Sequence, residues 1–206
     1  MDRKTWQGAW PMTDIPVPAR SRNRYIAIFL AITAINTVLA LAGILAFPVG
    51  PGISALYIAV AFEVAFALWF GMYGAIAAYC GGVVSGLLMT GLSLPLNLVW
   101  SLSNLWQVLL PLLAVHLLKA DISLKSPRDL GVFLVSGVLL NNLAGALWGT
   151  GTLLLAGSAT GSEVFPYLVA WFLGNVIVTL VITPVLLRYG TPAFEKRGVL
   201  VPGFWG

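Results

Sequence analysis

Six apolar segments limit what this chain can fold into, because each is long enough to cross a bilayer as a helix. A hydrocarbon core of ~30 Å needs ~20 helical residues. The segments are continuous and rich in Leu, Ala, Ile and Val, whereas the strands of a membrane barrel read as short alternating runs. The sequence therefore predicts an all-α integral membrane protein, a bundle of six transmembrane helices. The predicted spans are residues 25–47, 53–71, 72–91, 97–118, 130–157 and 165–187.

The composition agrees with a membrane environment. Of the 206 residues, 59% are hydrophobic and 9% are charged, and the mean hydropathy is +0.94. Soluble domains carry about a quarter charged residues. Because the connections between the spans are short, we expect one membrane domain, residues 25–190. A basic N-terminal tail, residues 1–24, precedes it, and a short C-terminal tail, residues 191–206, follows it.

The basic residues predict how the bundle is oriented. All eleven Lys and Arg lie in three places: the N-terminal tail, the loop between spans four and five, and the C-terminal end. With six spans these places share one side, which the positive-inside rule makes cytoplasmic. The sequence thus predicts a multi-pass plasma-membrane protein with both termini in the cytoplasm. Anionic lipids are the expected neighbours of the net charge of +4, and no other feature supports nucleic-acid binding.

Turn signals separate the spans. Two glycines in "FGMYG", residues 70–74, divide a run of nearly forty apolar residues. Pro, Gly, Ser or charged residues mark the other connections, at 47–52, 90–95, 118–129 and 156–163. Pro184 is expected to kink or end the last helix near the cytoplasmic face.

Polar side chains fall near the middle of five of the predicted spans. A carboxylate at the bilayer centre costs roughly 2.5–3.5 kcal/mol on insertion scales, so Glu63 should be paired, protonated or next to a wet cavity. The amides either join helices as hydrogen-bonded glue or line a ligand cavity, and five helices converging on one carboxylate favour the cavity. The polar residues assigned to this ligand site are Glu63, Asn104, Gln107, Asn141, Asn142 and Asn175.

Tryptophans lie on the outer side of this polar layer. They are typical of an aromatic belt at the membrane interface, but several are also in helical register with the amides. Trp100, Asn104 and Gln107 follow the i, i+4, i+7 spacing of one helix face, so that stripe is expected to face the bundle interior. Aromatic walls above a floor of amides suit a planar, uncharged or weakly polar heterocycle. The tryptophans assigned to the site are Trp100, Trp106, Trp148 and Trp171.

The sequence contains no motif for catalysis or for a metal site. It lacks H-E-x-x-H, G-x-S-x-G and Walker patterns, and its single cysteine, Cys80, has no metal-ligand spacing. We therefore expect a protein that is not an enzyme and that uses no cofactor and no metal. Ala27 and Ala31, four residues apart at the start of the first span, would allow close helix packing.

Two segments carry a resemblance to a known family: "AIFLA", 27–31, and "LWFGMYGAIAAYCGGVVSG", 68–86. In these segments the chain resembles the S-components, the substrate-binding membrane subunits of energy-coupling factor importers of vitamins and micronutrients. The resemblance implies six helices with cytoplasmic termini, a pocket that faces the outside, and uptake driven by separate ATPases. It also implies that Ala27 and Ala31 contact a transmembrane coupling subunit.

A second resemblance is to the integral membrane sensor domains that precede bacterial kinase and cyclic-dinucleotide output domains. The segment "WFLGNVIVTLVITPVLL", 171–187, is similar to their closing helix. It implies a domain that binds a small ligand and signals to a partner protein. Such domains usually have more spans and an output domain after the last helix, so we expect the importer subunit first. A stand-alone transporter is the remaining alternative.

Overall fold

The computed structural model describes residues 19–201 and 203–205, with side chains from residue 23 onward. Within these residues the chain is a bundle of helices with one small β-hairpin, in which β1 (Pro48–Gly50) pairs antiparallel with β2 (Ile53–Ser54). The predicted all-α fold class is confirmed. The helices are α1 Ala19–Ala46, α2 Ala59–Phe70, α3 Met72–Met89, α4 Leu94–Leu118, α5 Pro127–Phe133, α6 Asn141–Leu155 and α7 Gly161–Lys196, with a π-helical stretch, Leu134–Leu140, between α5 and α6.

Among the described residues, five helical segments are long and apolar enough to cross a membrane. They are α1, α3, α4, the continuous stretch from α5 to α6, and α7. Helix α2 has 12 residues and is therefore only about 18 Å long. The predicted second span, 53–71, is thus helical only in its second part, because residues 53–54 form β2 and an irregular segment, 55–58, follows.

The irregular segment is held between α1 and α7. The Leu56 amide donates to Ser54 Oγ at 3.2 Å, and Ser54 Oγ donates to the Gly43 carbonyl on α1 at 2.8 Å. On the other side Gly174 of α7 lies against the Ala55 carbonyl, so closely that a Cβ at this position would overlap the oxygen. Non-helical backbone at membrane depth is tolerated when protein encloses it, and both helices enclose it here.

The predicted turns are confirmed where the helices end. Gly71 separates α2 from α3 with a φ of +58°, a left-handed conformation that glycine adopts at no steric cost. Helix α4 begins with a proline at its second position, Pro95. Ser126 caps α5 by accepting the Asp129 amide at 3.1 Å, and Thr160 begins α7 in a capping box with Glu163.

The bundle has two distinct ends. At one end the Arg24 guanidinium donates to the Arg197 carbonyl at 3.0 Å, which joins the start of α1 to the end of α7. We call this end, with the basic loop 119–128, the basic end. At the other end the hairpin packs against α7 through Gly50 and Tyr167 and against α4 through Gly52 and Trp100. We call it the hairpin end.

The C-terminal segment differs from the predicted tail, residues 191–206. Helix α7 continues through Pro184 and ends only at Lys196, so Pro184 does not end it. The chain then folds back onto the elbow between α2 and α3: Val201 N donates to the Trp69 carbonyl at 2.9 Å, and Met72 N donates to the Phe204 carbonyl at 2.8 Å. Backbone groups freed by the break at the elbow thereby find partners.

Candidate ligand-binding site

One face of α4 carries polar and aromatic side chains into the interior of the bundle. Trp100 is 4% exposed, Asn104 is 3% exposed, and Ser103 and Gln107 are fully buried. In an aqueous amphipathic helix this stripe would face solvent, whereas here the apolar faces of α4 point outward. The predicted inward orientation of the stripe is confirmed.

A cavity lies at the hairpin end, above the middle of α4. Its space amounts to about 320 Å³ including the open mouth, and it is narrow, with room for about one water molecule. Four predicted site residues line it: Trp100, Asn104, Trp171 and Asn175. The remaining lining residues are Ile44, Gly52, Ile53, Ser54, Tyr57 and Ser85.

Glu63 lies next to this cavity, behind two of its lining residues. It is fully buried near the start of α2. The Asn104 amide Nδ2 lies 3.1 Å from Oε1 and 3.3 Å from Oε2 of the carboxyl group, and Tyr57 OH donates to Oε1 at 3.3 Å. Asn104 Nδ2 also lies 3.1 Å from the Tyr57 oxygen. The predicted requirement that Glu63 be partnered is met by these two neutral donors, with Asn104 as the central member.

Several polar atoms at the cavity have no hydrogen-bond partner among the described residues. They are the indole Nε1 atoms of Trp100 and Trp171 and both amide atoms of Asn175. Asn175 is fully buried, and Trp171 is 7% exposed. A buried donor or acceptor without a partner costs about 1–3 kcal/mol. Such groups around one cavity are what a site for a polar ligand requires.

Gln107 and Asn142 belong to a second polar cluster at greater depth, in which Gln107 Oε1 has no partner among the described residues. Gln107 Nε2 donates to Asn142 Oδ1 at 2.9 Å, and Asn142 Nδ2 donates to Thr179 Oγ1 at 2.9 Å and to the Val138 carbonyl at 2.8 Å. This cluster joins α4, α6 and α7 immediately after the π-helical stretch. Its side chains bind each other, as expected of amides that hold helices together.

Asn141 also lies outside the cavity. It is fully buried, and its Oδ1 accepts the backbone amide of Asn142 at 2.7 Å, while its Nδ2 has no partner among the described residues. Asn36 of α1 likewise is fully buried and has both amide atoms unpaired within the described part of the chain. It packs against Gly81 of α3, so Asn36 lies on the face of α1 that contacts the bundle.

Trp106 and Trp148 do not line the cavity. They are 40% and 37% exposed on the outer surface of α4 and α6, where their rings contact each other edge to face at 5.8 Å. Trp148 Nε1 donates to the Val99 carbonyl at 2.7 Å. Trp106 adjoins Gln107 in sequence, and one residue along a helix turns the side chain by about 100°. These two tryptophans therefore lie on the outer surface of the bundle and do not contribute to the cavity.

Sequence reasoning missed Tyr57, Ser54 and Ser85 as lining residues. The first two lie in the irregular segment and β2, which the apolar run 53–71 disguised as a helix. Ser85 is 2% exposed in the glycine-rich part of α3. Gly82 of that helix does serve packing, since a Cβ there would lie 2.9 Å from Asn104 Oδ1. A tyrosine six residues before a membrane-buried glutamate was the one signal that could have found this part of the site.

Replacing a hydrogen-bonded asparagine and replacing an unpaired one should affect stability differently. Asn142→Leu is expected to lower the free energy of unfolding by about 2–3 kcal/mol, because it leaves the buried Gln107 Nε2 without its acceptor and removes the bonds to Thr179 Oγ1 and the Val138 carbonyl. Asn175→Leu is expected to cost less than about 1 kcal/mol or to stabilise the ligand-free protein, because it removes atoms that have no partner. Thermal unfolding of the purified protein in detergent measures both. If Asn175→Leu destabilises as much as Asn142→Leu, Asn175 has structural partners and is not held open for a ligand.

The described residues offer no metal site, since no three His, Cys, Asp or Glu side chains in this part of the chain come together. Chemically, the side chains around the cavity offer two indole N–H donors and the amide group of Asn175. No protein-family model, no curated protein and no solved structure matches this chain.

Proposed function

We propose that this chain is the membrane-embedded binding subunit of an importer for a vitamin-like or other micronutrient solute, working with a separate ATP-driven coupling module. The observation that carries the proposal is the cavity at the hairpin end, where Trp100, Trp171 and Asn175 keep unpaired polar atoms. Buried polar groups normally have partners. Four unpaired atoms around one cavity favour a ligand that supplies their hydrogen-bond partners.

The cavity is proposed to open to the outside of the cell. Lys and Arg side chains cluster at the basic end, which the positive-inside rule places in the cytoplasm. The cavity lies at the opposite, hairpin end, next to β2 and the upper part of α4. A ligand arriving from outside would therefore reach the cavity without crossing the bundle.

Orientation is tested by cysteine labelling in intact cells with a membrane-impermeant maleimide. Both Ser93 and Lys125 are exposed, in the loops of the hairpin end and the basic end. In a Cys80→Ala background, Ser93→Cys should react and Lys125→Cys should react only after the cells are opened. Reaction of Lys125→Cys in intact cells would reverse the orientation and place the cavity on the cytoplasmic side.

The partner surface is proposed to lie on α1. Ala27 and Ala31 are exposed there, next to Leu30, which is 60% exposed. Small residues four apart let a neighbouring helix approach closely. The resemblance to S-components implies the same partner surface, so we propose that the coupling subunit contacts these two alanines.

Co-purification from native membranes tests the importer proposal. Wild type should bring down a membrane subunit and ATPase subunits, and Ala27→Trp with Ala31→Trp should lose them, because the large side chains prevent close packing. The matched control is Val181→Trp with Val185→Trp, which places the same bulk four residues apart on the exposed face of α7. Retention of the ATPases by the alanine variant would remove the alanines from the interface. A kinase or regulator in place of ATPases would favour the sensor.

A further inference from the structure

We infer that the cavity selects an uncharged, flat molecule that offers at least two hydrogen-bond acceptors. This inference rests on the proposed function of the same cavity and specifies the class of its ligand. It is carried by the unpaired groups of Trp100, Trp171 and Asn175 and by the residues that surround them.

The unpaired groups are mostly donors. An indole N–H donates and cannot accept, so Trp100 and Trp171 each require an acceptor on the ligand. Asn175 contributes a donating NH₂ group and an accepting oxygen, neither of which is paired within the described residues. A ligand that satisfies all of them presents acceptors to the indoles and an amide-like edge, with one acceptor and one donor, to Asn175.

The other polar side chains at the cavity already have partners. Ser54 donates to the Gly43 carbonyl at 2.8 Å, and Ser85 donates to the Gly82 carbonyl at 3.1 Å. Asn104 and Tyr57 are directed to Glu63. The two indole groups and Asn175 therefore determine which ligand the cavity binds.

The lining contains no charged side chain. The carboxyl group of Glu63 lies behind Asn104 and Tyr57, and both of these side chains donate hydrogen bonds to it. Moving an ion from water into a site without a counter-charge is costly. A cation without acceptor atoms, such as N-methylpyridinium, would in addition leave both indole N–H groups unpaired.

The apolar side chains around the cavity favour a flat ligand. The rings of Trp100 and Trp171 meet edge to face at 5.7 Å and 65°, next to Ile44 and Ile53. Because the space now holds about one water molecule, an organic ligand enters only when the rings part or the hairpin lifts. A flat ring that enters between them gains contact with the face of one indole and the edge of the other, and it needs a smaller displacement than a bulkier ligand.

Three planar probes test the inference on the full-length protein in detergent: uracil, which is neutral and carries two carbonyl acceptors, benzoate, an anion, and N-methylpyridinium, a cation. Indole N–H signals in ¹⁵N NMR spectra, assigned with Trp→Phe variants, report contact. Uracil should shift the Trp100 and Trp171 signals saturably. Trp100→Phe and Trp171→Phe, which keep an aromatic ring and remove the indole N–H, should each weaken uracil binding about tenfold, the loss of one hydrogen bond to the ligand. Trp106→Phe on the outer surface should leave it unchanged.

The outcomes separate this inference from the proposed function. If benzoate or N-methylpyridinium shifts the two signals and uracil does not, the cavity binds ligands of another class and the inference is overturned while the binding function stands. If no probe moves either signal, or if both Trp→Phe variants bind uracil as wild type does, the inference is overturned as well. Co-purification with ATPase subunits then still decides the importer proposal.

Discussion

Gly174→Ala should lower the thermal unfolding midpoint of the purified protein by about 10 °C, which corresponds to about 3 kcal/mol in a chain of this size. The added Cβ would overlap the Ala55 carbonyl oxygen. That atom belongs to backbone enclosed between α1 and α7, and it cannot rotate away as a side chain would. Overpacking of this kind typically costs about 1–3 kcal/mol, and we place this position at the upper limit because backbone must move.

The same substitution should remove the cavity. The irregular segment carries Tyr57, and α7 carries Trp171 and Asn175 beside Gly174, so pushing the two elements apart separates the lining residues. Gly151→Ala is the matched control, because a Cβ at this helical position of α6 meets no atom within 4 Å. Alanine there should raise stability by up to about 1 kcal/mol. Equal stability of the two variants would show that α7 does not fix the irregular segment.

Sequence reasoning located the helices because their signals are local. An apolar run of at least 18 residues bounded by Gly, Pro or charge defines a membrane helix, and five of the predicted segments follow that rule. Residues 53–58 broke it, since their composition is as apolar as that of a helix. The irregular backbone there depends on tertiary contacts. Gly43 of α1 and Gly174 of α7 have no side chain, so the two helices can pack directly against the carbonyl groups of this segment.

Helical spacing predicted some of the residues that line the cavity, but it did not show which helix faces point into the bundle. Trp100 and Asn104 were found because four residues separate them on one helix face. Trp148 lies in register with Asn141 by the same rule and still faces outward, because spacing shows which residues share a face but not what that face meets. Glu63 and Gln107 belong to different hydrogen-bonded clusters because of how the helices contact one another. The periodicity of residues within one helix carries no information on such contacts.

Asn104→Leu should be among the most destabilising substitutions in the bundle, at about 3 kcal/mol. It removes the amide that contacts both oxygens of the buried Glu63 carboxyl group, which leaves Tyr57 OH, at 3.3 Å, as the one donor to that group among the described residues. Leaving a buried acceptor unpaired costs about 1–3 kcal/mol, and more when the group is charged. Glu63→Met, which keeps the bulk and removes the acceptor, should cost less, because Asn104 Nδ2 retains the Tyr57 oxygen at 3.1 Å.

The double variant decides whether these two residues act as a pair. Replacing both partners of a buried hydrogen bond by apolar groups of similar shape is close to neutral, so Glu63→Met should rescue most of the loss caused by Asn104→Leu. We expect a coupling free energy of about 2 kcal/mol, within the range for residues in one hydrogen-bond network. Urea or thermal unfolding of wild type, both single variants and the double variant gives the cycle. Additive losses would mean that Glu63 is held by groups other than Asn104, and the polar floor of the cavity would then have to be assigned again.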